Sequence, residues 1–363
     1  MGKAKAASQV PPKAKAKARK VNTSKPSKYD NRGLDESDGT VPLELQQTCL
    51  NIFRDALRPS VEDVTVLQEI KGCLFNRDFA TAFGKEEYLR VYASRWSPSR
   101  ALGYLQVLTD VQEYMLPNQD LAGPGYSNHI PLEVVCLGGG AGAEVVSLAA
   151  WWSVLSKFMP VAALQACFVD IAAWHTTVKA LHKHCVNAPE LSQYASANAR
   201  EANLPLLSEQ TFSCRFQQQD VLQWPENATQ SVISPTTKLV TLFFTLNELY
   251  STSVPKAQHL LSQLTATMST DSLLLVVDSP GSYSTVSLSG GERRYPMLWL
   301  LDHTLLADTA RKAGDASSVR WEKVMSDESK WFRLPPGLEY PIELENMRYQ
   351  IHLYRRLAPG SGG

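Results

Sequence analysis

No apolar run in this 363-residue chain is long enough to cross a bilayer, which takes about 20 consecutive apolar residues. The most apolar stretch, Val145 to Leu155, is roughly half that length, and Glu144 and Lys157 bracket it. No membrane partner is expected. No secretory leader is expected either, because the N-terminus alternates Lys with Ala and has no apolar core behind its charges. Cysteine is sparse: Cys49, Cys73, Cys136, Cys167, Cys185 and Cys214 form no C-x-x-C pair, so they read as free thiols of a reducing compartment. Net charge is missing too, since 36 basic side chains match 36 acidic ones. Taken at face value, that argues against a phosphate-rich partner.

The neutrality is an average over two unlike parts. Residues 1–28 hold eight Lys and one Arg with no acid, which leaves 27 basic against 36 acidic groups in the rest, a balance of −9. Residues 1–42 carry almost no large apolar side chain and are expected to form a disordered basic tail. Its run of Lys13, Lys15, Lys17, Arg19 and Lys20 suits a nuclear or nucleolar address or a non-specific RNA contact. A solubilising tail on a cytoplasmic protein is the bland alternative.

From Leu43 to about Met115 apolar residues fall three and four apart, as in Tyr88, Val91, Tyr92 and in Ala101, Tyr104, Leu105, Leu108. This pattern predicts a cap of four helices within 43–130, with Ser97 as N-cap and Pro98 as first residue of a helix running to Met115. From Leu132 short apolar runs alternate with amphipathic segments. Strands are expected near 132–137, 166–170, 211–217, 238–246 and 272–278, and helices near 143–158, 173–185, 254–268 and 297–313. Strand then helix, repeated, means an α/β fold with a parallel sheet covered on both faces. Val319 to Val324 and Arg348 to Tyr354 read as a closing antiparallel hairpin, so 131–357 would be one domain and 358–363 a flexible end.

The most informative segment runs from Leu132 to Glu144, a buried strand that turns through Gly138, Gly140 and Gly142 into a helix. Such a turn lets a ligand lie against the main chain and meet free N–H groups at the helix start. Gly138, Gly140 and Ala143 also fit a dinucleotide pattern. Asp170, at the end of the second strand, is placed to accept hydrogen bonds from ribose hydroxyls or to cap the next helix. It lies 32 residues beyond Gly138, longer than the ~20 of a dinucleotide fold. Asp220, at the end of the third strand, suits an adenine amine or a turn before Trp224 and Pro225. Trp174 suits adenine stacking or a core anchor. Three ligand-facing strand ends followed by a terminal hairpin look like the Rossmann-like class I fold of S-adenosylmethionine methyltransferases.

The same residues carry a more particular likeness. Tyr92, Arg95, Trp96, Pro98, Arg100, Ala101 and Leu102, the segment Leu137 to Glu144, Asp170 to Trp174, Leu300 to Thr304 and Glu345 to Tyr354 resemble a fungal family of uridine-N3 methyltransferases acting on large-subunit ribosomal RNA. The resemblance spans roughly 45–357 and omits the tail. It implies S-adenosylmethionine as cofactor, with Gly138, Gly140, Gly142, Glu144, Asp170, Trp174 and Asp220 as candidate cofactor contacts. It also implies a ribosomal RNA or pre-ribosomal particle as partner.

Uridine N3 carries a proton that must leave, so an acceptor is needed near the fourth strand. Asn247 and Glu248 fall there: Glu248 could take the proton and Asn247 orient the uracil, although Glu248 could equally open a surface helical turn. An Asp-Pro-Pro-Tyr motif, which would suit an amino-group acceptor, is missing. Arg293 and Arg294, in a Gly- and Ser-rich loop expected after the fifth strand, are the RNA-contact candidates of the folded part. Asp302 and His303 are adjacent on a helix and point apart, and His182, His184 and Cys185 do not converge as metal ligands, so no metal is expected. Competing readings are a methyltransferase of the same fold acting on a small molecule or protein, and a non-catalytic ribosome-assembly factor. A monomer is expected.

Overall fold

The computed structural model describes residues 41–115, 131–157, 163–225, 227–288, 291–306 and 320–358, with the backbone alone described over 284–288 and 291–293. The basic tail with Lys13, Lys15, Lys17, Arg19 and Lys20, and residues 359–363, lie outside the described residues.

Four helices come first: α1 (Leu43–Leu57), α2 (Asp63–Phe75), α3 (Phe79–Ala82) and α4 (Glu86–Met115). The predicted helix start at Pro98 is corrected here. Pro98 sits inside one 30-residue helix, and Ser97 caps nothing. A proline within a helix deprives the carbonyl four residues earlier of its donor. That carbonyl belongs to Ser94, and the hydroxyl of Tyr340 donates to it at 3.0 Å. A tertiary contact, invisible to local spacing, replaces the missing bond.

The sheet then alternates with helices: β1 (Leu132–Leu137), α5 (Ala143–Leu155), β2 (Leu164–Asp170), α6 (His175–Val186), α7 (Ala197–Glu201), β3 (Phe212–Gln218), α8 (Ala228–Val232), β4 (Thr237–Phe243), α9 (Leu246–Thr252), α10 (Val254–Thr267) and β5 (Leu273–Asp278). A separate two-stranded hairpin follows, β6 (Tyr283–Leu288) and β7 (Gly291–Pro296), then α11 (Met297–Leu306), β8 (Trp321–Phe332) and β9 (Met347–Arg356). The seven-stranded sheet has the order β3-β2-β1-β4-β5-β9-β8. Strands β1 to β5 are parallel, and β9 and β8 close the sheet antiparallel.

Both faces of the central strands are dry. In β1, Val134 and Cys136 face a core shared with α1, α4, α5 and α6, while Val135 and Leu137 face a second core with α10 and α11. Such strands read as continuous apolar runs. Helix α5 is buried nearly all round, including Trp151 and Trp152, because α4 covers the side turned away from the sheet. The N-terminal helices thus share one core with the sheet and roof the carboxyl ends of its strands. Strand β8, at the edge, exposes Glu322, Asp327 and Glu328 and is bulged twice, which discourages further pairing.

Candidate active site at the carboxyl rim of the sheet

The chain leaves β1 through the glycine turn 138–142. Gly138 and Gly142 have φ of +83° and +86°, where side chains are strained. Gly140 is required for room, because a Cβ there would stand 2.1 Å from Trp174 Cδ1. The turn is fastened on three sides: Gly138 N–H donates to the Val169 carbonyl at 2.7 Å, Gly140 N–H to Asp170 Oδ2 at 3.1 Å, and Ser97 Oγ to the Ala141 carbonyl at 2.6 Å.

Glu144 lies in the first turn of α5, and its carboxyl points back beneath the loop, with Oε1 3.1 Å from where a Gly139 Cβ would stand. It is buried, and Oε1 has no hydrogen-bond partner. Burial pushes Glu144 up to about 8. Asp170 is held differently. Its oxygens accept from Gly140 and Ala172 backbone N–H, and the Trp174 side chain is a further donor. Burial still leaves it above the ordinary carboxylate range. It does not cap α6, whose N-cap is Trp174. Trp174 is buried against Phe83 and Tyr92 of the roof, at centroid distances of 5.7 and 5.8 Å.

On the other side of β1, β4 stops earlier than its apolar run suggests. Phe244 adopts φ +53°, a strained conformation for a bulky side chain, and α9 starts at Leu246. Asn247 N–H donates to Asp278 Oδ2 at 2.9 Å, while Asn247 Oδ1 is buried without a partner. Glu248 turns outward, 43% exposed, and pairs with Arg77 at 2.6 Å. Asp278 ends β5 and also accepts from Ser279 N–H at 2.7 Å; burial pushes it up to about 6.

Arg100 of α4 hangs between these groups. Its guanidinium lies 5.2 Å above the Phe244 ring and donates to the Tyr92 hydroxyl at 3.1 Å. Burial works against its charge, and the Tyr92 hydroxyl, accepting from it, favours the protonated form. It lies near enough to Glu144 and Asp278 to pull both carboxyls back down. Arg95, which pairs with Glu345, leaves Nη1 buried and unpartnered. Glu144 Oε1 and Asn247 Oδ1 are thus two buried acceptors at the strand ends, both lacking a bond. An unmade bond of this kind is costly, and a ligand that donates hydrogen bonds would complement both.

The structure therefore gathers Gly138, Gly140, Gly142, Glu144, Asp170 and Trp174 around one turn, with Asn247 and Glu248 on the same rim. Asp220 follows β3 at the same rim, where Gln219 N–H donates to the Asp170 carbonyl at 2.8 Å, and it caps the single turn Val221–Gln223 by accepting from Leu222 N–H at 2.9 Å. Arg293 and Arg294 are not in a loop as expected. They lie on β7, paired in register with Val286 and Thr285. Asp302 is engaged by Lys323 and Tyr354, and His303 stacks on Trp299. Sequence reasoning missed Asp278, although an apolar strand ending in a carboxylate was the same signal that singled out Asp170. Nothing in the local sequence marked Ser97 as a brace for the glycine turn.

Residues 53–355 match the family model described as "Putative SAM-dependent methyltransferase", SAM being S-adenosylmethionine. Over 334 residues the chain is 30% identical to a Saccharomyces cerevisiae protein named 25S rRNA (uridine(2843)-N(3))-methyltransferase, covering 86% of this chain and 85% of the relative. Among solved structures it is similar to an O-methyltransferase family 2 protein from Planctomyces limnophilus in complex with apigenin, at 13% identity and a TM-score of 0.35. That match covers 73% of this chain and 58% of the other. Human N-acetylserotonin methyltransferase in complex with SAM matches at 15% identity and a TM-score of 0.33, covering 86% of this chain and 67% of the other. The glycine turn, the acids at the strand ends and a family match across most of the chain agree: this protein belongs to the SAM-dependent methyltransferases.

Proposed function

We propose that the chain methylates N3 of a uridine in large-subunit ribosomal RNA, as free RNA or in a pre-ribosomal particle, acting as a monomer in the nucleus or nucleolus. The identity to the yeast uridine-N3 enzyme, spread over 86% of the chain, carries this reading.

SAM supplies an electrophilic methyl group on its sulfonium. The residues present fit it. The unpartnered Glu144 Oε1 suits an ammonium. The backbone of Gly138, Gly140 and Gly142 allows close approach, Asp170 suits ribose hydroxyls, Trp174 walls the turn, and Asp220 suits the adenine amine.

Toward the acceptor base, Asn247 Oδ1 is an unpartnered acceptor able to take the N3–H hydrogen bond and fix the ring. Asp278 holds Asn247 in place through its backbone N–H. Glu248, once Arg77 releases it, takes the N3 proton to solvent. The test incubates the purified full chain with methyl-labelled SAM and unmodified large-subunit rRNA, then digests the RNA and identifies its nucleosides by mass spectrometry. Label in N3-methyluridine is the expected outcome; label in another nucleoside, or in none, overturns the reading.

A further inference from the structure

Most of the arginines and aromatics in the C-terminal third are committed elsewhere. Tyr349 and Tyr354 are buried in β9, Arg348 is held by Ser329, and Arg356 by backbone carbonyls. One group is not. Tyr295 at the end of β7, and Trp299 and His303 on α11, follow each other four residues apart and stack as a ladder. The centroids are 4.6 Å apart at an interplanar angle of 18° for the first pair, and 5.2 Å at 22° for the second. Trp299 is 47% exposed, and Tyr283, across the hairpin, is 51% exposed with the Arg294 guanidinium 5.6 Å over its ring.

Seating α11 does not require this ladder. Met297, Leu300, Leu301 and Leu305 carry its buried face. Aromatic neighbours four apart add little to a helix already anchored that way. Tyr295 is half-buried against the second core, but the exposed Trp299 and Tyr283 rings, flanked by a guanidinium, mark a binding surface. The ladder is also tied to the rim. Only residues 279–282 separate Asp278 from β6, and Met297 N–H donates to the Ser282 carbonyl at 2.9 Å, which fixes the start of α11 beside the end of β5. Strand β6 packs against α9, which carries Asn247 and Glu248.

We propose that Tyr283, Arg294, Tyr295, Trp299 and His303 form a platform on which unpaired bases flanking the target nucleotide stack, with Arg294 adding a phosphate contact. The inference rests on the RNA reading above and names the surface that reading needs. Aromatic rings hold single-stranded RNA because every base offers a flat face, whereas the guanidinium serves the backbone whatever the sequence.

The test uses the full chain and a fluorescein-labelled single-stranded oligouridylate, titrated over a range of salt concentrations, with the KM for ribosomal RNA measured alongside. Trp299→Ala is expected to weaken binding at least fivefold and raise KM, with an unchanged salt slope, while Trp299→Tyr restores most of the affinity. Arg294→Ala is expected to lower the salt slope by about one. SAM affinity and thermal midpoint serve as folding controls, since Trp299 lies outside the core. Wild-type protein that methylates rRNA, together with a Trp299→Ala variant of unchanged RNA affinity and KM, overturns the platform alone. A Trp299→Ala variant that changes only the oligomeric state does so too. Wild-type protein that neither binds nor methylates RNA overturns the underlying function as well.

Discussion

Ser97 Oγ donates a 2.6 Å hydrogen bond to the carbonyl of Ala141, which ties the roof helix directly to the glycine turn. Ser97 is almost fully buried, so water cannot replace that bond. Ser97→Ala should lower stability by about 1–2 kcal/mol, because the carbonyl loses its donor. It should also weaken SAM binding several-fold, since the turn that would cradle the cofactor loses a brace. Denaturant unfolding and calorimetric titration check both. A loss of stability with unchanged affinity would show that the bond serves the helix only.

The Tyr340 hydroxyl and Pro98 are expected to be energetically coupled, because the Ser94 carbonyl lacks a donor only where a proline stands four residues on. Tyr340→Phe alone should cost about 1–3 kcal/mol. In a Pro98→Ala background the helix supplies its own N–H, and the same change should cost clearly less. A double-mutant cycle on unfolding free energies reads the difference. Additive effects would mean that Tyr340 contributes by packing alone.

Glu144 predicts a proton linked to cofactor binding. Its carboxyl is raised to about 8, chiefly by burial, so it is protonated in the free protein at neutral pH. Receiving an ammonium requires the ionised form. Binding should therefore release a proton below pH 8, and SAM affinity should rise with pH up to that point. Calorimetry at pH 7 in buffers of different ionisation enthalpy measures the release directly. Glu144→Gln should bind more weakly and without this release. Equal proton counts for wild type and variant would remove Glu144 from the cofactor site.

Much of this architecture was legible because the central strands are buried on both faces and so appear as uninterrupted apolar runs. The runs at Val134 to Leu137 and Leu273 to Val277 could hardly be placed otherwise. The glycine turn was legible for a related reason, since Gly138 and Gly142 occupy conformations that few other residues tolerate. What escaped was set by partners distant in sequence. Pro98 reads as a helix start unless Tyr340, more than 200 residues away, is known to satisfy the carbonyl it frees. The hairpin carrying Arg294 escaped because Ser and Gly crowd its turn and the residues before it, which resembles a loop until the backbone ladder is seen. The end of β4 escaped because Phe244 continues the apolar run but departs from strand geometry.

Asp278 predicts a pH dependence of stability. Its folded value of about 6 lies above the ordinary 3.8, so the folded state keeps its proton where the unfolded chain has lost it. The stabilisation is therefore full below about pH 4 and is lost as pH rises through 6, a change of up to roughly 3 kcal/mol. An asparagine cannot titrate, and its single side-chain oxygen replaces only one of the two acceptors that serve Asn247 and Ser279. Asp278→Asn should thus be the less stable form at pH 4, by about 1 kcal/mol, and should gain on wild type as pH rises, overtaking it by pH 7. Methyl transfer should fall at every pH, since Asn247 loses an anchor, while SAM affinity changes little. Unfolding at pH 4, 5, 6 and 7 for both proteins decides the matter: parallel stability profiles would mean that the Asp278 carboxylate is solvated in the fold and does not act as a buried brace for Asn247.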